Sequence, residues 1–207
     1  MAIKDNREYR FLGAFEIEER AETDPDFTVR GYASTFDEYK LFTWDGIDYH
    51  ERIDRHAFDE TDMSDVVFLL DHEGRVYART KNNTVHLSVD DHGLFQETDL
   101  GKTEASRGVY EDIRVGNYSQ MSFAFTVSED HFEDREDGGL TRVIDRIAKL
   151  YDVSAVSFPA NPNTDIGISA RSLFDGEIEK REAERLRVEK IQRDRAKLAL
   201  KLKLMEE

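Results

Sequence analysis

From Tyr9 to Phe158 the chain alternates short runs of β-branched and aromatic residues with turn residues, and this rhythm limits the folds open to it more than any other feature. Such runs suit strands half-buried on a pleated surface. They predict eight strands, over residues 9–18, 27–35, 66–70, 85–89, 93–99, 119–127, 140–148 and 151–158. Eight strands in about 150 residues predict a barrel or a sandwich. Helical spacing adds two elements and makes the class β-rich α+β. Within residues 102–115, Thr103 is a candidate N-cap, Val109 and Ile113 stand four apart, and Gly116 follows the end, so an amphipathic helix is expected. A shorter helix is expected over residues 56–62, and a charged hairpin loop over residues 129–139. There is no internal repeat.

The rhythm stops near Arg171. Residues 177–207 contain no Gly or Pro and are rich in Glu, Lys, Arg, Leu and Ala, which predicts one long C-terminal helix. Its apolar positions, among them Ile178, Leu186, Val188, Ile191 and Leu198, keep no strict heptad. A partner-binding helix, a frayed one and a solvated charged one all fit that pattern better than a regular coiled coil. Charge divides at the same place. Residues 171–207 carry 11 basic and 9 acidic side chains, leaving 18 basic and 36 acidic on residues 1–170, out of a net −16 for the chain. An acidic body argues against nonspecific nucleic-acid binding, which needs a basic surface. No run approaches the roughly 18 apolar residues of a membrane span. The start, Met1-Ala-Ile-Lys-Asp-Asn-Arg, lacks the apolar core of a signal peptide, so a soluble cytosolic protein is expected. With no cysteine, zinc ribbons, iron–sulfur clusters, thiol nucleophiles and disulfide-held mini-scaffolds are excluded.

Several motifs are missing. The chain has no Gly-rich phosphate loop ending in Lys-Ser/Thr, no His-Glu-x-x-His and no Gly-x-Ser-x-Gly. Its acidic loops break the EF-hand pattern, because taking Gly138 as the invariant glycine puts Arg135 at a ligand position. Close carboxylate pairs carry no signal among 45 acids. Histidine is more selective, with six in the chain. His72 follows the apolar run Val66-Val-Phe-Leu-Leu-Asp, so it stands at the end of a core strand, either as a satisfied strand-end residue or as a general base held in fixed orientation. In Tyr118-Ser-Gln-Met-Ser-Phe-Ala-Phe-Thr-Val, alternation puts Met121, Phe123, Phe125 and Val127 on one face and Ser122 on the other with Gln120 and Ala124. Asp152 interrupts the apolar strand Leu150-Tyr-Asp-Val-Ser-Ala-Val-Ser-Phe-Pro. A buried carboxylate needs a partner, and a histidine is a good one. If His72 lies between Ser122 and Asp152, the three can act as base, nucleophile and orienting acid.

Taken in order, these segments resemble the prohead proteases of tailed bacteriophages, serine peptidases that share a fold with the herpesvirus assemblins. The resemblance rests on Arg30-Gly-Tyr-Ala-Ser-Thr-Phe, Glu51-Arg-Ile-Asp-Arg-His-Ala-Phe, Val67-Phe-Leu-Leu-Asp-His, Gly93-Leu-Phe-Gln-Glu-Thr, Gly116-Asn-Tyr-Ser-Gln-Met-Ser-Phe-Ala-Phe and Leu150-Tyr-Asp-Val-Ser-Ala-Val-Ser-Phe-Pro-Ala-Asn-Pro. It implies an assemblin-like β-barrel with a few surrounding helices. It also implies His72 as catalytic base, Ser122 as nucleophile, and Asp152 as third member where the family usually has Glu and the assemblins a second histidine. Ser119 is a competing serine on the face of Met121 and Phe123, and His56 stands where the family commonly has Gly. Backbone amides or an arginine could supply the oxyanion donor, Arg79 and Arg114 being the arginines near the motifs. No cofactor or metal is called for. The domains implied are an N-terminal arm, residues 1–8, a protease domain, residues 9–171, and a charged helical tail, residues 172–207, that docks on scaffold or coat protein or is removed by autoprocessing. Expected partners are the major capsid protein with its scaffold-like segment, and a second copy of the chain in a homodimer. The expected place of action is the assembling procapsid in the host cytoplasm. Two other readings stand beside this one: a catalytically inactive protease-like assembly scaffold, and a metal-dependent hydrolase using His50 and His56.

Overall fold

Two long antiparallel strands, β9 (Gln120–Asp134) and β10 (Leu140–Val156), form the spine of a ten-stranded sheet. The computed structural model describes residues 7–16, 27–157 and 165–205. Most of the expected N-terminal arm and the Phe158-to-Pro162 end of the family motif lie outside these residues. Before the spine come β1 (Glu8–Glu16), β2 (Thr28–Thr35), β3 (Tyr39–Trp44), β4 (Ile47–Ile53), β5 (Val67–Leu70), β6 (Glu73–Arg79), β7 (Val85–Val89), β8 (Gly93–Asp99) and helix α1 (Glu104–Arg114). Helix α2 (Asp165–Met205) follows it. The strands run in the order β3-β4-β10-β9-β1-β2-β8-β7, with β5 pairing β10 and β6 pairing β5. β10 thus has β9 along one edge, and β4 and then β5, both parallel to it, along the other. The class is α+β as expected. Among the described residues no ladder joins β3 to β7, so the pairings trace an open path and not a closed barrel.

The core lies on the face that alternation predicts. Phe68, Met121, Phe123, Phe125, Val153 and Ala155 have no exposed surface. Each large apolar side chain so buried contributes about 1.5–3 kcal/mol. Helix α1 adds Val109, Tyr110 and Ile113 from one stripe. The Thr103 side chain accepts from the Ser106 N–H as the predicted N-cap. At the other end Gly116, with φ +85°, sits in a Schellman arrangement, the Asn117 N–H reaching Asp112 O at 2.9 Å and the Gly116 N–H reaching Ile113 O at 3.0 Å.

Other expectations change. β10 is one strand, with bulges between Ile144 and Asp152 where two strands were expected. Residues 55–60 form turns in place of the predicted short helix, fixed by the Ala57 N–H on Asp54 O and the Ile147 N–H on Ala57 O. β3, β4 and β6 were not foreseen. The chain divides into two compact units, Met1–Pro162 and Asn163–Glu207. In the second, the helix expected from Glu177 begins at Asp165 and runs through Gly176, a residue that costs a helix only about 1 kcal/mol. No described helix is long and apolar enough to cross a membrane.

A buried ionic network ties β1 across β9 to β10 and β4. The Arg10 Nε and the Tyr39 hydroxyl both donate to Glu51 Oε1, Arg10 Nη2 donates to Oε2 at 2.7 Å, and Arg142 Nη1 donates to Oε2 at 3.0 Å. Arg142 also holds Glu8 at 2.6 and 3.0 Å and Asp130 at 2.5 Å. Glu51 has no exposed surface. Burial alone would push its carboxyl up, but the Arg10 charge and hydrogen bond, with help from Arg142 and Tyr39, outweigh burial and hold it below the ordinary glutamate range.

Candidate active site

His72 is carried on the tight turn between β5 and β6. Asp71 and His72 both have left-handed backbone, φ 48° and 60°, as a two-residue type I′ hairpin turn requires. For residues other than glycine this conformation costs about 1 kcal/mol or more each, so the turn needs anchoring. β10 anchors it: the Asp71 N–H donates to Ala155 O at 2.9 Å, and Asp71 Oδ1 accepts from the Ser157 N–H at 3.1 Å. The imidazole therefore projects from a pinned loop at the end of a core strand.

The other two predicted residues come from the spine. In the β9–β10 ladder Ser122 pairs with Ser154, and Ala124 pairs with Asp152. Paired positions share a face, so Ser122, Ala124, Asp152 and Ser154 lie together, opposite the core face of Phe123 and Val153. His72 joins them. Its Nδ1 is 2.7 Å from Asp152 Oδ1, and its Nε2 is 2.5 Å from Ser122 Oγ. An ionised carboxylate only accepts, so Nδ1 carries the proton and Nε2 of the neutral ring accepts from the serine hydroxyl. Ser154 Oγ donates to the same Asp152 Oδ1 at 2.6 Å. Tyr9 packs edge-on against the imidazole, ring centroids 4.7 Å apart. Burial, and then the negative charge of Asp152, push the Tyr9 phenol up. Ser122 has no exposed surface, and His72, 11% exposed at the side chain, is the least covered of the three.

The remaining candidates sit elsewhere. Ser119 is exposed just before β9. Arg79 makes a two-pronged contact with Asp65 at 2.6 and 2.7 Å, and Arg114 pairs with Glu111 on α1. His56 pairs with Asp59 at 3.1 Å in an exposed turn, and His50 approaches Glu38 at 3.0 Å on β4. Among the described residues no group of three or more His, Cys, Asp or Glu side chains could hold a metal ion. Sequence reasoning missed Ser154 and Tyr9. Ser154 had a signal, since it stands two residues from Asp152 in the same strand and so shares its face; Tyr9 had none.

A chain in this arrangement can activate a serine hydroxyl by handing its proton to an oriented imidazole. Comparison with known proteins agrees with that chemistry. The family model described as Caudovirus prohead serine protease matches residues 15–177. No curated protein and no solved structure matches the chain.

Proposed function

The chain belongs to the caudovirus prohead serine proteases, a family of serine peptidases, and from that premise we propose that it cleaves the coat protein and its scaffold-like segment inside the assembling procapsid, and itself, through Ser122, His72 and Asp152. The observation that carries the reading is the continuous line of hydrogen bonds from Asp152 through His72 to Ser122. In this mechanism Nε2 of His72 takes the Ser122 proton as Oγ attacks the scissile carbonyl. The tetrahedral intermediate collapses when the imidazolium returns that proton to the leaving amine, and water, activated by the same imidazole, resolves the acyl-enzyme. Asp152 keeps the Nδ1–H tautomer and stabilises the imidazolium.

A fluorophosphonate tests the nucleophile directly, because only an activated serine displaces its fluoride. The expected result is a single modified residue, Ser122, and no labelling once His72→Ala removes the base. A label on Ser119, or none on the folded wild type, would overturn the assignment.

For the tail, the proposed role is docking onto helices of the scaffold or coat protein. Leu186, Val188 and Ile191 are exposed on α2, and residues 178–207 lie beyond the family match. Deleting residues 177–207 is expected to leave fluorophosphonate labelling unchanged and to deplete the protease from purified procapsids. Full incorporation of the shortened chain would remove the docking role.

A further inference from the structure

Asp152 has a second hydrogen-bond donor that the mechanism above does not use. Ser154 stands on β10 directly across the ladder from Ser122 and has no exposed surface. Its hydroxyl donates at 2.6 Å to Asp152 Oδ1, the oxygen that His72 Nδ1 reaches at 2.7 Å. A hydroxyl removed from water needs a partner, and a carboxylate inside a sheet needs more than one donor to stay ionised. Ser154 and Asp152 answer both needs, two residues apart on one face of a strand whose backbone is fixed on both edges.

We infer that Ser154 is a positioning residue of the peptidase site, holding the Asp152 carboxylate so that Oδ1 faces the imidazole and moderating the pull of its charge on the imidazolium. The inference rests on the reading of His72, Ser122 and Asp152 as the triad. Its physical basis is that Oδ1 shares its electron density between two donors. With the Ser154 hydroxyl present, the carboxylate is a weaker base toward His72, so the imidazole stays neutral, and able to accept the Ser122 proton, to lower pH. With the hydroxyl removed, the carboxylate is free to rotate and binds the imidazolium more tightly. The rate falls, and the pH below which the enzyme loses its base rises. Among the described residues, Tyr9 packs on the ring from β1, the charges of Arg7 and Glu73 act on its phenol, and Asp71 precedes His72 in the turn; all are the same in both forms.

The test uses the full chain and a fluorophosphonate of known concentration. As Ser122 Oγ bonds to phosphorus, the P–F bond breaks, fluoride leaves and the serine proton passes to His72 Nε2, so the second-order labelling rate reads the state of the base. Rates are measured from about pH 5 to 9, the interval across which an imidazole titrates, for the wild type, Ser154→Ala, Ser154→Thr and Ser122→Ala. The expected result for Ser154→Ala is labelling about 10- to 100-fold slower at neutral pH, the loss of a hydrogen bond to a charged group, an acid limb displaced to higher pH, and a thermal midpoint near that of the wild type. Ser154→Thr, which keeps the hydroxyl, recovers most of the rate and the original limb. A wild-type rate and limb in Ser154→Ala, beside an unlabelled Ser122→Ala, would remove the role of Ser154 and leave the triad standing. Equal slowing in both Ser154 variants with an unmoved limb and a lowered midpoint would make Ser154 a packing residue and overturn the inference. Labelling of Ser122→Ala at the wild-type rate would overturn the triad and this inference together.

Discussion

Ser122→Ala is expected to abolish cleavage of the coat protein, with a loss in kcat on the order of 10⁴ to 10⁶, the cost of removing the nucleophile from other serine triads. The size follows from what is removed. Alanine keeps the β9 backbone and its pairing with β10, and it fits a space that holds only a hydroxyl more, so the sheet and its core are unchanged. In the proposed mechanism what is lost is the atom that forms the acyl bond, and the two nearest candidate serines do not replace it. Ser119 is exposed before the strand, and Ser154 is committed to Asp152. Residues that act as a unit are not additive. His72→Ala is therefore expected to cost about as much alone, and the double variant little more than either. The measurement is co-expression with the coat protein, followed by gel analysis of the particles and a thermal melt of each variant. Normal processing by Ser122→Ala would remove the proposed mechanism, as would a double variant whose loss equals the product of the single ones.

Much of this site could be read from the chain because strand alternation is a short-range rule. The pattern from Tyr118 to Val127 was enough to turn Ser122 away from Met121, Phe123 and Phe125, and the ladder with β10 follows the same alternation. A lone carboxylate in the apolar run around Asp152 called for a partner, and His72 is hydrogen-bonded to it. The elements that were missed obey rules that a residue-type pattern hides. β4 reads as polar because its inward positions are Tyr49, Glu51 and Ile53, so a charge occupies a core site. Its hairpin with β3 did leave a signal in Asp45-Gly46, which takes φ 51° and 76° in a two-residue turn. The Asp71-His72 turn left a weaker one, since Asp71 suits the first position but His72 is not the glycine that such turns favour at the second. β6 went unseen with it. The ionic network was invisible for a different reason: with 36% of the chain charged, no single Glu or Arg stands out until its burial is known.

That network carries the largest expected effect on stability. Glu51→Gln is expected to destabilise the protein by about 3–5 kcal/mol, the cost of breaking a buried ion pair from one side, or roughly 6 to 20 °C in thermal midpoint for a chain of this size. Glutamine keeps the shape but not the charge, and it turns an amide N–H₂ toward a site where Arg10, Arg142 and Tyr39 all donate. Arg10 loses the most, because Glu51 supplies two of its contacts, through Nε and Nη2, and leaves it Glu8 at 2.6 Å and the Tyr9 carbonyl at 3.0 Å. Arg142 keeps Glu8 and Asp130. The paired replacement Arg10→Met with Glu51→Leu is therefore expected to lose less than Glu51→Gln alone, since it removes the buried cation together with the partner it would otherwise lose. The pH dependence has a definite sign. A carboxyl held below its ordinary value of 4.5 stabilises the fold above that pH and loses the contribution as pH falls through its folded value. The gap between wild type and Glu51→Gln should accordingly be full at neutral pH, begin to close below about pH 4.5, where the unfolded chain's carboxyl takes up a proton, and be closed below the lower pH at which the folded carboxyl does. A gap that stayed constant down to acid unfolding would mean that packing, not charge, sets the cost. The consequence for the site is mechanical, because the network fixes β1, and β1 holds Tyr9 against the His72 ring. Below its melting temperature Glu51→Gln should label more slowly with fluorophosphonate than the paired Met/Leu variant, and equal rates would separate the network from the site.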